Sequence, residues 1–285
     1  MIRSVRDLYG AKIHATDGEI GTVEEFYFDD THWAVRYMVV DTGGWLTGRR
    51  VLISPIAIQA AHWDDHTINV ALTREQVEQS PDVDTEKPVT RQYELSYLNY
   101  YGYPMYWEGG GLWGPGMNPI ALAPVFTPMP MVPQTPAVTT ADAATPTTTD
   151  GTTANADATV NPHLQSTRDV RDYTIAATDG DIGHVSDFLV DDETWAVRYL
   201  VLDTHNWLPG KHVLVAPAWI EKVSWPEGAV SVDLPRETIK DAPAYEAHQE
   251  VTRDYETQLY SYYQRPGYWE AVQGQPGAAR IYAEE

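Results

Sequence analysis

The chain has 285 residues, 43% of them hydrophobic, a formal net charge of −22 and no cysteine. That length gives room for about two domains and the apolar fraction is enough for packed cores, while the absence of thiols excludes disulfides, zinc ribbons and cysteine catalysis. The acidic balance argues against direct binding to nucleic acid or an anionic bilayer, because neutralising phosphates takes lysine and arginine that are in the minority here.

In chain order, residues 1–7 are charged with no apolar run behind them, so no secretory signal is expected. Asp17-Gly18 is a hairpin-turn dipeptide, and Ile20, Val23, Phe26 and Phe28 mark a strand with an irregular middle. From Trp33 the residues alternate with period two as far as Val40, the clearest strand signal in the chain, and this places Trp33, like Trp195 further on, as a buried or half-buried residue opening its strand. Further strands are expected at 51–58 and 67–72, the latter after an Asp64-Asp65 turn. A short helix follows at 73–79, where Thr73 and Gln76 have capping-box spacing, and Pro81 ends it. Residues 89–108 then carry a dense run of tyrosine, tryptophan and glutamate.

Residues 109–163 contain no lysine or arginine and are crowded with Pro, Thr, Ala and Gly, which predicts a disordered linker. Its opening GGGLWG formally satisfies GxGxxG, but Pro115 and Gly116 stand where a helix would have to open, so it carries no nucleotide signal. Prolines interrupt the apolar stretch at 119–133, so no membrane span is expected and the cytoplasm is the expected compartment.

Beyond the linker the chain repeats itself. A shift of 162 positions aligns residues 4–108 with 166–270 without a gap, with roughly 45 of about 105 pairs identical. Thr16, Asp17 and Gly18 recur as Thr178, Asp179 and Gly180; WAVRY recurs at 195–199; Val89, Thr90 and Arg91 recur as Val251, Thr252 and Arg253. The resulting division is a first domain at 1–80, a Tyr-rich extension at 81–108, the linker at 109–163, a second domain at 164–242, and a Tyr-rich extension with tail at 243–285. Each domain is expected to fold by itself.

Several short strands in so small a unit need their edges closed or covered, which points to a small barrel. The order of a DG turn, an IGxV strand, WxVRYxVVDT, a WLxG loop and VLxxP, met twice, resembles the PRC-barrel family, over about residues 4–80 and 166–242. The resemblance implies a mainly β protein with two small, largely antiparallel β-barrels, each followed by a short helical aromatic-rich extension, and it implies a module for protein binding or assembly. The photosynthetic reaction-centre H subunit of that family carries a membrane helix that this sequence lacks.

The repeat also serves as a control for chemistry. His14, His32, His62 and His66 align with Ala176, Thr194, Ser224 and Gly228, and His184, His205, His212 and His248 with Thr22, Gly43, Arg50 and Glu86, so no histidine recurs. No spacing suggests a metal site. Asp29-Asp30 and Asp191-Asp192 do recur and read as turn formers. No GxSxG, Walker loop or HExxH occurs, so no catalytic residue, metal or cofactor is assigned and no enzyme is expected.

What remains is recognition. Tyr93, Tyr97 and Tyr100 have helical i, i+4, i+7 spacing, and with Tyr101, Tyr106 and Trp107 they recur, except at Tyr97, as Tyr255, Tyr262, Tyr263, Tyr268 and Trp269. Two readings stay open for these rings: a tail that folds back to complete its own barrel, or aromatic clamps that join the barrels or hold a protein partner. Arg91 and Arg253 are expected to form exposed i, i+3 pairs with Glu94 and Glu256. The leading expectation is a non-enzymatic scaffold that binds a protein partner or associates barrel to barrel. One alternative is an accessory role in ribosome or RNA assembly through protein contacts; another is a small-ligand or enzymatic pocket between the barrels, lined by Trp45 and Trp207.

Overall fold

The computed structural model describes residues 1–83, 88–123, 163–204, 211–247 and 249–270. The first repeat contains β1 (Ile2–Ser4), β2 (Lys12–Ala15), β3 (Gly18–Asp29), β4 (Ala34–Asp41), β5 (Arg50–Ile53), β6 (Ile58–His62), β7 (Thr67–Val70), α1 (Arg74–Glu78) and α2 (Arg91–Tyr101). The second contains β8 (Leu164–Ser166), a single turn α3 (Thr167–Val170), β9 (Thr174–Ala177), β10 (Gly180–Asp191), β11 (Val197–Asp203), β12 (His212–Val215), β13 (Ile220–Ser224), β14 (Ala229–Val232), α4 (Arg236–Asp241) and α5 (Arg253–Tyr262).

The described residues form a mainly β structure with two seven-stranded sheets. The first runs β5-β4-β3-β2-β7-β6 and the second β12-β11-β10-β9-β14-β13. All described pairs are antiparallel except β2 with β7 and β9 with β14, so the sheets are largely antiparallel. The end strands β5 and β6 do not share a ladder; residues 54–57 turn the corner between them, with Ser54 Oγ accepting from the Ile56 N–H. The expected irregularity of β3 appears as register shifts between Val23 and Glu25 and between Tyr27 and Phe28. Gly21 and Gly183, the glycines of IGxV, lie where a Cβ would sit 1.9 Å from the Asp41 carbonyl oxygen and 2.1 Å from that of Asp203, so only glycine lets these strands cross. Thr73 and Gln76 make both halves of the expected capping box on α1.

The two repeats do not stand apart. β1, from the first repeat, pairs with β10 of the second (Ile2 with Asp191, Arg3 with Val190, Ser4 with Leu189). β8, from the second, pairs with β3 of the first in the equivalent register (Leu164 with Asp29, Gln165 with Phe28, Ser166 with Tyr27). Each repeat thus lends its first strand to the sheet of the other. Ser4 donates to Asp187 and Ser166 to Glu25, an acid at the matching position of each long strand. At the centre, the Val35 N–H donates to the Trp195 carbonyl (2.8 Å) and the Val197 N–H to the Trp33 carbonyl (2.7 Å). Beneath these bonds Phe28 meets Phe188 at 5.5 Å and Phe26 meets Trp195 at 6.1 Å, and one core cluster spans both repeats. The described residues of the two repeats thus belong to one compact unit, where the sequence suggests two separate barrels.

Two further expectations change. Trp33 and Trp195 are buried, but both sit in the turn before the strand with φ of 52° and 59°, a left-handed backbone that bulky residues rarely adopt. Their carbonyls are the ones that bridge the repeats, and the Asp29 and Asp191 carboxylates hold the two turns by accepting from the His32 and Thr194 N–H groups. The linker also starts later than its composition suggests: residues 109–123 are folded, with Trp113 in the core, and the remainder, 124–162, lies outside the described residues.

Because the sheets are shared, we expect one cooperative thermal transition instead of two. Removing residues 1–4 should lower stability by about 2–4 kcal/mol, at roughly 1 kcal/mol per lost hydrogen bond. Hydrogen exchange should then speed up at β10, in the other repeat; protection unchanged there would contradict the exchange.

Candidate functional site

The tyrosine-rich extensions cover the end of their own sheets. In the first repeat, Thr90 caps α2 and Gly102 ends it in a left-handed conformation, so the chain turns back and brings residues 103–108 under the helix. Tyr97 is buried; its hydroxyl donates to the Leu52 carbonyl (3.2 Å) and accepts from the Ser54 N–H (3.0 Å), tying the helix to the β5 corner. Tyr93 and Tyr100, half-buried, donate to the carbonyls of Pro81 (3.1 Å) and Gln76 (2.8 Å). Tyr101 stacks on Tyr103 at 5.4 Å.

In the second repeat Tyr255 and Tyr262 repeat these bonds, to Pro243 (3.4 Å) and Thr238 (2.9 Å). Where the first repeat has Ala57 and Tyr97, the second has Trp219 and Leu259; Trp219 packs on Tyr260 at 5.1 Å and on Tyr263 at 4.6 Å. The aromatic volume has moved from helix to corner with the filling preserved. All the described tail residues named from sequence are engaged within their own repeat, the arrangement of the fold-back reading.

At the heart of each extension lies a cluster that sequence reasoning did not assemble. Glu94 is buried, accepts from the hydroxyls of Tyr106 (2.6 Å) and Tyr37 (3.2 Å) through Oε1, and pairs with Arg91 (3.0 Å) through Oε2. Glu256 does the same with Tyr268 (3.0 Å), Tyr199 (2.7 Å) and Arg253 (2.8 Å). The Arg91–Glu94 and Arg253–Glu256 pairs are therefore anchored on buried carboxylates, where the sequence suggests exposed ones. Against this cluster lies Arg36, fully buried, its Nε 2.6 Å from Asp29 and its guanidinium 3.9 Å from the Tyr106 ring centroid and 4.7 Å from that of Trp113. Arg198 repeats the pairing with Asp191 (3.3 Å) and lies 4.1 Å over Tyr268. The signal available in sequence was identity at the matched positions of Asp29, Arg36, Tyr37, Glu94 and Tyr106, scattered over 78 residues and hidden among other matches.

Burial raises the pKa of Glu94, against the pull of Tyr106, Arg91 and Tyr37. Asp29 goes the other way: burial pushes it up, but the Arg36 guanidinium and His32 hold its carboxyl below the usual range. Burial likewise drives the Tyr37 and Tyr106 hydroxyls upward, so both act as donors. Such paired groups rigidify a fold. Among the described residues no group of three or more His, Asp or Glu is placed to hold a metal ion.

The surface offers a second feature. A groove between the repeats runs along β6, which pairs only with β7 among the described residues, and is lined by Met1, Arg3, Trp63, Ile120 and Trp195. Met1 and Ile120 are two of the three large apolar side chains exposed among the described residues. Trp45 is elsewhere, donating to the Ile20 carbonyl with Arg74 stacked over it, and Trp207 lies outside the described residues.

These features define a tandem β protein whose repeats share one strand order. Residues 2–77 match the family model of the PRC-barrel domain, and the second repeat has the same strand order as the first. No curated protein matches the chain. No helix among the described residues is long and apolar enough to cross a membrane.

Two predictions test the cluster. Asp29→Asn strands a fully buried guanidinium and should cost about 3–5 kcal/mol at neutral pH, whereas Asp191→Asn, at a half-open site, should cost less; denaturant titration ranks them. For Glu94 the native state keeps its proton to higher pH than the unfolded chain, so its contribution is intact in acid and is lost as pH rises from the ordinary carboxylate value through the native one. Glu94→Gln should remove that decline, seen as a flatter stability curve just above the ordinary carboxylate value; an unchanged slope would show that Glu94 ionises without cost.

Proposed function

We propose that this chain is a non-enzymatic protein-binding scaffold in which two PRC-barrel repeats form a single platform. The observation that carries this reading is the inter-repeat groove, where the exposed Met1 and Ile120 lie beside a sheet edge. An open strand edge flanked by apolar side chains suits an extended peptide, which gains main-chain hydrogen bonds from the edge and specificity from the pockets beside it. The buried Glu94 and Glu256, each engaged by two tyrosines and an arginine, favour the same reading. The net charge of −22 selects basic or neutral protein partners over nucleic acid.

Purification of the full chain followed by mass spectrometry should recover a defined protein in stoichiometric amount. Ile120→Asp, at an exposed position, should weaken that association by about tenfold or more, as truncated anchor residues do, without changing thermal stability. Recovery of ribosomal proteins or of a bound small molecule in place of such a partner would overturn the reading.

A further inference from the structure

The two repeats are not equally covered, and the difference falls on one residue. In the first, the loop after Trp107 folds back, with the Gly111 N–H donating to the Gly114 carbonyl and the Trp113 N–H to that of Gly116. This seats the Trp113 indole over Arg36, and its Nε1–H donates across to the Thr194 carbonyl of the second repeat (2.8 Å). Under that ring the side chains of Arg36 and Asp29 are 0% and 2% exposed. Their counterparts Arg198 and Asp191 are 22% and 20% exposed, and Tyr268 is half-buried where Tyr106 is buried. The sequences differ at the matching position, where a shift of 162 puts Gln275 opposite Trp113. The supporting geometry is nonetheless the same in both, with Arg198 over Tyr268, Arg253 over Trp269, and the Glu270 N–H bonded to the Gly267 carbonyl as that of Glu108 is to Met105. The Arg198 Nε is buried and makes no hydrogen bond.

We propose that the second repeat presents, at Arg198 and Tyr268, a docking site for a tryptophan borne on a glycine- and proline-rich segment of a protein partner. Trp113 shows what such a site accepts: a flat ring stacked on the guanidinium, carried on a loop whose glycines allow close backbone approach. The occupant is a separate protein because the chain's own Trp113 is 1% exposed and already committed to the first repeat. This site deepens the binding role proposed above, at a place separate from the groove.

The probe is a fluorophore-labelled peptide of the sequence GGGLWGPG, taken from 109–116, titrated into the full-length chain and followed by fluorescence polarisation. The expected result is saturable binding of one peptide per chain, lost at least tenfold with Arg198→Gln and reduced with Arg198→Lys, which keeps the charge without the planar stacking group. Trp113→Ala should open the first site and raise the stoichiometry to two. A peptide with alanine in place of tryptophan should not bind. Absence of saturable binding, a stoichiometry unmoved by Trp113→Ala, or equal binding of the alanine peptide would overturn the proposal. Concentration-dependent dimers of the wild-type chain that vanish in Trp113→Ala would make a second copy the occupant and overturn it equally. Ile120→Asp should leave peptide binding intact, so failure of the groove reading and failure of this one are distinguishable.

Discussion

Two strands of three residues each decide whether this chain is one body or two. β1 and β8 are too short to be stable on their own, yet each completes the edge of a long strand in the opposite repeat and carries a serine onto an acid there. A backbone ladder is less forgiving than a surface contact, because separating the repeats would leave its donors and acceptors unpaired beside apolar rings. The left-handed Trp33 and Trp195 belong to the same device. A bulky residue in that conformation costs on the order of 1–3 kcal/mol, and what over-determines it here is the pair of N–H bonds its carbonyls accept from the other repeat.

The buried polar clusters follow from that geometry. Bringing Asp29 to the turn that meets the second repeat also removes it from water, and an isolated carboxylate there would be untenable. Arg36 neutralises it, but the guanidinium has donors left over, and these face the rings of Tyr106 and Trp113 in place of oxygen acceptors. Glu94 then serves as acceptor for the tyrosine hydroxyls that the aromatic extension brings in. The chain of dependence runs from strand exchange to buried turn, from turn to ion pair, and from ion pair to the aromatic lid.

Much of the β framework was legible because its signals are local. The alternation in β4, the DG turns and the capping box on α1 each depend on neighbours within a few residues. The exchange was not legible, since Ile2, Arg3 and Ser4 have no period and their partners lie at 189–191. Nor was the fold of 109–123: averaged composition describes a linker, and one buried indole, Trp113, overrides it. The tail tyrosines were found as a pattern, but periodicity says which residues share a face and not what that face meets. Asp29, Arg36 and Glu94 escaped for a related reason, as charged residues are by default assigned to solvent and only the packed structure shows which are satisfied inside.

Fusion of two copies into one chain changes what such an arrangement can become. Two separate, identical subunits exchanging strands about a two-fold axis must keep both ends alike, because every substitution appears twice. In a single chain each end varies alone. The exchange of Ala57 and Tyr97 for Trp219 and Leu259 shows that freedom used neutrally, with the core volume kept. Trp113 shows it used unequally: one arginine is sealed under an indole and the other is left part-exposed on the same framework. The shared sheet makes this asymmetry affordable, for the sealed end can supply rigidity to the whole body while the open end keeps a charged, aromatic surface at its disposal.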